Sequence, residues 1–449
     1  MSEHCGFIVE VKELREHPNA DKLQLTSFFG QQVCVGLDVK VGDIGVYFPS
    51  DLQLGEQFCA ENHLCRQTPL GEPDSGYLDP NKRNIKPIRL RGEQSDGIFC
   101  DLSCFDFTNA NKSELTVGTM INVLNGFEIC KKYIPRQPER HCKSEGNKTR
   151  KKKVAVAPLF AEHADTSQLA YNLAAFCPGD EIEITLKIHG TSQRTGYLPV
   201  FKGYKRTLLD RLLRKEGTPV YDWGYVSGTR RTVLQNYEGG YYGSNEFREQ
   251  HSKIFEGKLH KGECCYYEVC GFTHTGSPIM PEVKNAVAGK DFVKQYGEKT
   301  VFSYGCTSTG KEGIGITERD VPQSDIYVYR MTMTNEDGFV VEYTPDFMRY
   351  RCEQMGVKCV PVLYKCILEE RDWVNGETCA GDQAKNIAEL FYDGPDPIGK
   401  THIREGVVVR ILNRPKFTAY KHKNFNFKLI EGIAKDTAEA PDMEEAQDA

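Results

Sequence analysis

From Phe7 to about Val123, apolar and polar positions alternate in short runs, as in Phe7-Ile8-Val9-Glu10-Val11, Gln32-Val33-Cys34-Val35 and Gly45-Val46-Tyr47-Phe48. A period of two marks strands buried on one face, and the glycines and the Asn19-Ala20-Asp21 signal between runs mark turns. The pattern predicts a small all-β barrel. Lys131 to Val156 is polar and basic and interrupts the periodicity, as a linker does. A second domain begins near Pro158. Helical spacing over Thr166–Phe176 and Pro345–Met355 there mixes with apolar strands at Glu181–Leu186, Tyr266–Val269, Ile326–Tyr329 and Gly406–Ile411. The expected class is α+β: an N-terminal β-barrel followed by a domain of packed antiparallel sheets with flanking helices. Expected boundaries are 1–130 for the first domain, 131–157 for a basic linker, 158–432 for the second domain and 433–449 for an acidic, disordered tail.

The longest apolar runs are strand-sized, such as Val407–Val409, so no segment is long enough to span a membrane as a helix. Met1–Gly6 lacks the basic start and apolar core of a secretory signal, which places the expected chain in the cytosol, with the nucleus as the alternative. Seventeen cysteines, an odd number scattered through strand-like contexts such as Cys264, Cys265 and Cys270, suit buried reduced thiols better than a disulfide framework. Cys59, Cys65, Cys100 and Cys104 lack the tight two-residue spacing of a zinc ribbon, which argues against zinc. A formal net charge of -6 argues against a uniformly basic surface. The distribution changes that picture. Asp436–Ala449 is acidic, whereas basic residues gather at Lys148–Lys153, Lys202–Lys215 and Lys416–Lys428, so local patches can hold phosphates. For Lys148–Lys153 the simpler reading is a linker or nuclear-import signal.

The segment His17-Pro18-Asn19-Ala20-Asp21-Lys22-Leu23, followed by Val41-Gly42-Asp43, resembles the OB-fold modules of tRNA-binding domains and of one RNA ligase family. An OB barrel offers an open face to nucleic acid. Ile85 to Gly92 adds Lys86, Arg89 and Arg91 on an expected strand, with Arg89 and Arg91 on one face by the two-residue period. These three are the nucleic-acid-binding candidates. The alternative is an exposed strand with ordinary charges.

Lys187-Ile188-His189-Gly190-Thr191-Ser192-Gln193-Arg194 directly follows an alternating strand. A lysine at a strand end, before a glycine turn, presents its amine to a phosphate while the backbone approaches closely. Alone, the octapeptide is also ordinary turn chemistry. Further segments follow in order: Ser227-Gly228-Thr229-Arg230, then Tyr266-Tyr267-Glu268-Val269-Cys270-Gly271, then the aromatic strand Ile326-Tyr327-Val328-Tyr329-Arg330. Glu405-Gly406-Val407-Val408-Val409-Arg410 and Tyr420-Lys421-His422-Lys423 complete the set. This order resembles the motifs of covalent nucleotidyltransferases, and the resemblance covers nearly the whole chain, including His163 to Leu169. It points to the ATP-dependent RNA ligases with an N-terminal OB module. His189 departs from the pattern, because many relatives carry aspartate there.

The resemblance implies that Lys187 takes AMP from ATP and passes it to a 5′-phosphate, which is then sealed to a 3′-hydroxyl. RNA with those ends, as a nicked duplex or a cleaved tRNA, is the implied substrate, and an end-healing kinase or phosphatase the implied partner in RNA repair. The residue chemistry agrees. The Lys187 amine must lose its proton, which a metal, Lys421 and Lys423 would promote as neighbouring cations. Glu405 interrupts an apolar run, where a carboxylate is costly unless paired or metal-bound. It is the candidate for holding magnesium or manganese. A salt bridge to Arg404 or Arg410 is the alternative, and Glu405→Ala is expected to stabilise the fold by removing an uncompensated carboxylate. Lys421 and Lys423 alternate onto one strand face, where both can reach the α-phosphate, and their replacement is expected to leave folding nearly unchanged. Glu268 is the candidate for the ribose hydroxyls and Tyr329 for stacking on adenine, with Tyr327 second. His189, Gly190, Arg194 and Arg230 complete the nucleotide-binding set, with Arg231 competing with Arg230.

A DNA ligase and an mRNA capping guanylyltransferase share this chemistry but usually carry an OB domain after the last motif. Too few residues follow Lys423 for a barrel. A noncatalytic tRNA- or RNA-binding protein with a decayed second domain is the remaining alternative. The presence together of Lys187, Glu268, Glu405, Lys421 and Lys423 speaks against decay.

Overall fold

A computed structural model describes residues 4–134, 155–163, 166–208, 210, 217–234, 237, 242, 244–310, 321–369 and 379–436. The basic run Lys148–Lys153, most of the expected linker and the tail beyond Asp436 lie outside these residues. The chain divides into two compact units, Met1–Pro135 and Arg136–Ala449.

In the first unit the alternating runs form strands at Gly6–Glu10, Gln31–Gly36 and Ile44–Phe48. One sheet has the order Met120–Ile121, Gly6–Glu10, Ile44–Phe48, Ile98–Asp101, and another joins Arg15–Glu16, Leu23–Phe28 and Gln31–Gly36. Ile8, Val46, Phe48, Leu54, Phe58 and Phe105 share one buried core. Among the described residues the strands form separate short sheets and no closed barrel. The strand expected to carry three cations is shorter than its sequence suggests. Ile88–Leu90 pairs with Glu93–Ser95, and Arg91 and Gly92 form the two-residue turn between them at φ 48° and 97°. Positive φ at both central residues is what a type I′ hairpin turn requires. Arg91 therefore leaves the strand, Lys86 precedes it, and the shared face expected for Arg89 and Arg91 is not formed.

The second unit is built on two five-stranded sheets, as the α+β reading expects. Its strands are β1 (Glu181–Lys187), β2 (Thr191–Lys205), β3 (Thr218–Gly228), β4 (Glu263–Gly271), β5 (Ser324–Thr334), β6 (Val340–Glu342), β7 (Val362–Ile367), β8 (Gly406–Ile411) and β9 (Thr418–Lys423). One sheet runs β3-β2-β4-β5-β6. The other runs β9-β8-β1-β7, with Ser167–Gln168 added beyond β9. The named strands pair antiparallel, and only Ser167–Gln168 on β9 is parallel among the described pairings of these sheets.

Helix α1 (Pro345–Met355) matches its expected span because both ends are written locally. The Thr344 hydroxyl accepts from the Phe347 amide, Pro345 opens the first turn, and Gly356 ends the helix at φ 69°. Thr166–Phe176 is not the expected helix. It is a two-residue strand followed by 3-10 turns at Leu169–Tyr171 and Leu173–Ala175. The Asn172 side-chain amide donates to the Gln168 carbonyl at 2.7 Å, the acceptor that an α-helix would give to the Asn172 backbone, while that backbone donates to Leu169 instead. Helix α2 (Phe425–Asp436) follows β9 directly, with the Asn424 side chain accepting from the Phe427 amide, so its last turn takes in the start of the expected tail.

Candidate active site

The Val407-Val408-Val409 run makes β8 a central strand, paired on one side with β1 and on the other with β9. The two registers align three cross-strand rows: Lys187, Gly406 and Lys423; Thr185, Val408 and Lys421; Glu183, Arg410 and Ala419. Residues opposite one another share a face of the sheet. The other face sends Ile182, Ile184, Val407, Val409 and Ile411 into a buried cluster with Leu169 and Phe176. The lysine that the sequence places at a strand end and the lysine that ends β9 thus become neighbours across one glycine. Gly406 has φ +149°, and a Cβ there would meet the His422 carbonyl oxygen at 2.1 Å and the Lys423 Cα at 2.8 Å. Gly406→Ala is therefore expected to cost about 1–3 kcal/mol and to part β8 from β9 beside Lys423. A thermal unfolding midpoint equal to the parent's would contradict this role.

Glu405, immediately before Gly406, is almost fully buried. Its Oε1 lies 3.0 Å from Lys187 Nζ and 3.1 Å from Lys423 Nζ. Lys423 Nζ also donates to both oxygens of Glu431 on α2 at 2.9 Å. The Asn424 amide donates to the Glu405 carbonyl at 2.9 Å, so the cap of α2 also fixes the acidic residue. Burial opposes the charge on Glu405, but Lys187 and Lys423, with His189, outweigh it and hold the carboxyl well below its usual range. His189 Nδ1 stands 3.6 Å from Glu405 Oε2, too far for a hydrogen bond, and that buried oxygen has no hydrogen-bond partner among the described residues. The expected alternatives for pairing Glu405 are engaged elsewhere. Arg404 donates to the Phe391 and Pro395 carbonyls, and Arg410 donates to that of Tyr343.

Lys187 also lines a cavity of about 780 Å³, counting its open mouth, where the two sheets face each other. Glu183, Thr185, Val408, Arg410 and Ala419 supply one wall, and Glu268 and Tyr329 face them from β4 and β5, with His163 beside Tyr329. Gly190 lets the chain after Lys187 pass under β4, since a Cβ there would lie 2.4 Å from the Val269 carbonyl oxygen and 2.8 Å from Glu268 Cγ. Tyr329 reaches the cavity through a bulge: Tyr267 pairs with Val328 and Tyr266 with Arg330, leaving Tyr329 as the extra residue. Its hydroxyl lies 3.1 Å from Ser192 Oγ. Tyr327, the second choice for stacking, is instead packed in the core, with Lys358 over its ring.

No protein-family model matches the sequence, and no curated protein matches it either. Solved structures do match. An RNA ligase mutant of Naegleria gruberi with ATP and Mn aligns over 95% of this chain and 97% of its own at 15% identity, with a TM-score of 0.51. An apo mutant of that ligase aligns over the same shares at 15% identity and a TM-score of 0.54. The same ligase with PPi aligns over 94% of this chain and 96% of its own at 16% identity and a TM-score of 0.51. The chain has the RNA ligase fold.

Within this RNA ligase fold the remaining candidates separate by what they touch. Lys421 sits in the middle row, one pair from Lys187 and Lys423. His189 is wedged edge-on between Phe302 and Phe427, with ring centroids 4.6 and 4.9 Å away, and its backbone amide donates to the Tyr304 hydroxyl. Arg194 is not brought to the cavity. It is buried under β3, where its nitrogens donate to the carbonyls of Thr229, Phe160 and Arg231 and its guanidinium lies 4.2 Å from the Phe160 ring. Its role is to pin the loop after β3, in place of the expected nucleotide contact. Arg230 lies in that loop, and its carbonyl accepts from the His163 amide, while Arg231 is exposed. Lys86, Arg89 and Arg91 belong to the first unit.

Glu431 and His163 are two site residues that the sequence pattern did not mark. Glu431 lies on the helix after the last motif, and no spacing rule links it to Lys423. His163 sits inside a stretch that carried the resemblance, but a lone histidine there has no pattern to mark it.

Proposed function

We propose that this chain is an ATP-dependent RNA ligase that works through AMP bound covalently to Lys187. The observation that carries the reading is the row Lys187–Gly406–Lys423 closed by buried Glu405, at the edge of a cavity walled by Glu268 and Tyr329. Lys187 Nζ attacks the α-phosphorus of ATP, and the bond to pyrophosphate breaks. A 5′-phosphate on RNA then takes the AMP from Lys187, and a 3′-hydroxyl attacks that activated phosphate and displaces AMP. Lys187 must give up its proton and its contact with Glu405 before its amine can attack. Lys423 holds the same carboxylate oxygen, so Glu405 stays neutralised when Lys187 turns away. Lys421 and Lys423 supply positive charge along the phosphates, Glu268 accepts from the ribose hydroxyls, and Tyr329 stacks on the base.

His189, Glu405 and Glu431 offer ligand atoms within 4.8 Å of one another, and together with the unpaired Glu405 Oε2 they fit a divalent cation such as magnesium or manganese. Bound there, the ion would add positive charge beside the phosphates. A DNA ligase or a capping guanylyltransferase would use the same lysine. The likeness to RNA ligase structures favours RNA. Sealing of matched nicks with RNA or DNA on either side tests the choice: joining that requires RNA at the nick supports it, and equal sealing of all-DNA nicks contradicts it.

The first unit, Met1–Pro135, is proposed as an OB-like RNA-binding module joined to the ligase domain; Cys130–Lys132 pairs with Leu52–Leu54 within it, so the link begins later than the expected 131. Burial, then Lys82, and to a smaller extent Arg66 depress the Lys86 ammonium against the opposing pull of Asp79. Replacing Lys86, Arg89 and Arg91 together by alanine is expected to weaken RNA binding at least about tenfold and to flatten its dependence on salt. Unchanged affinity and salt slope would remove RNA contact from this face. Repair of a nicked duplex or cleaved tRNA, alongside an end-healing kinase or phosphatase in cytosol or nucleus, is the proposed setting.

A further inference from the structure

We infer that His163 reads the base of the bound nucleotide: its imidazole is a fixed hydrogen-bond donor, through Nε2–H, to an acceptor nitrogen of the purine ring. The inference rests on the cavity being the nucleotide site and names a residue that chooses what enters it. Arg330 Nη1 lies 3.2 Å from His163 Nδ1. A guanidinium only donates, so Nδ1 must be the acceptor and the ring proton must reside on Nε2. Arg330 cannot swing away to relax this choice. Its Nε lies 3.0 Å from both oxygens of Glu342, its Nη2 donates to the same carboxylate, and its guanidinium lies 4.6 and 5.0 Å from the rings of Tyr266 and Phe417. A carboxylate thus fixes a guanidinium, and the guanidinium fixes an imidazole tautomer.

The imidazole itself is boxed by aromatic rings, with centroids at 5.0 Å for Tyr329, 5.6 Å for Tyr266 and 5.7 Å for Phe417. Burial, then the charges of Arg330, Arg230 and Arg194, hold its pKa well below the ordinary histidine value, in keeping with a ring that stays neutral. Its place is the aromatic end of the cavity. Ala419 and Phe417 line that end, and Lys423 closes the opposite end of the same strand. Ala419 and Lys423 stand four strand steps apart, about 13 Å. With Lys187 at the phosphate end, a base stacked on Tyr329 brings its edge to the neighbouring imidazole. A neutral Nε2–H beside a stacking ring can satisfy a ring nitrogen with a lone pair, and adenine carries three of them, N1, N3 and N7.

The test compares transfer of AMP from ATP, and of its analogue from 1-deaza-, 3-deaza- and 7-deaza-ATP, to the full-length protein. In the parent, one analogue is expected to react at least about tenfold more slowly than ATP, as when a buried donor is left without its acceptor. In His163→Phe, which keeps the ring packing and lacks both nitrogens, ATP is expected to fall to the rate of that analogue, and the difference between them to vanish. His163→Gln, which returns an amide donor near Nε2, is expected to restore part of the difference and serves if the phenylalanine variant fails to fold. Label from ATP in the parent, with the same analogue penalties in parent and both variants, overturns the inference and leaves the ligase reading standing. No label from ATP in the parent overturns the nucleotide site and this inference with it.

Discussion

Lys187→Arg is expected to form no covalent adduct with AMP and to lose sealing of 5′-phosphate RNA by at least about a thousandfold. The arginine variant is the more telling one because it keeps the charge that Glu405 requires. The Lys187 ammonium sits 3.0 Å from a carboxylate that is almost fully buried. Alanine removes both the nucleophile and that counter-charge, whereas arginine removes only the nucleophile, since a guanidinium does not lose its proton in a protein. Both variants are expected to retain joining of RNA supplied with a pre-adenylylated 5′ end, a step in which the lysine does not attack. Label that persists in Lys187→Arg and maps to another lysine would move the active centre elsewhere.

The second large effect is expected at Lys421 and Lys423, and the structure predicts that the two will differ. Each is expected to slow adenylylation of Lys187, or sealing of a pre-adenylylated strand, by about a hundredfold on substitution by alanine, the usual cost of removing one charge from a transferring phosphate. Lys423 carries a further burden. It holds Glu405 at 3.1 Å and both oxygens of Glu431 at 2.9 Å, and it is only 11% exposed. Removing it leaves two carboxylates short of a partner, so Lys423→Ala is expected to cost about 1–3 kcal/mol of stability in addition to its rate. Lys421 belongs to the next row and is expected to lose rate with less change in unfolding midpoint. Separate measurement of the two chemical steps and of thermal unfolding checks both parts. Near-parental rates in both steps would reduce the pair to charges on a solvated strand.

The contacts of Lys423 thus revise the expectation that neither lysine matters to folding, and the reason lies in register. Alternation along Tyr420-Lys421-His422-Lys423 correctly places both lysines on one strand face. It does not reveal that β8 sets Lys423 opposite Gly406, or that the helix after β9 brings Glu431 back to it. The same gap explains Glu405. Its need for a partner was legible in an apolar run, but the nearby candidates, Arg404 and Arg410, bond to backbone carbonyls, and the true partners come from 218 residues upstream and from the next strand. By the same argument Glu405→Ala is expected to destabilise, because two ammonium groups would lose their shared anion.

Local signals fared better. Val407-Val408-Val409 wrote a central strand, and Thr344, Pro345 and Gly356 wrote both ends of a helix. Where local signals misled, a side chain or turn had intervened. Asn172 takes the carbonyl that would have extended a helix, Arg91 and Gly92 turn where an unbroken strand was expected, and the bulge at Tyr329 breaks the alternation that paired it with Tyr327. Arg194 illustrates a different limit: a cation next to a nucleophile motif reads as a phosphate ligand, yet three carbonyls claim it.

The central claim is that Lys187 carries AMP, and the most direct measurement is the mass of the denatured full-length protein after incubation with ATP and magnesium, followed by peptide mapping. The expected result is a gain of one adenylyl group, stable to base and released by acid as a phosphoramide is, on the peptide that contains Lys187, with the gain reversed by added pyrophosphate. An unchanged mass, or an adenylyl group on any other residue, would contradict it.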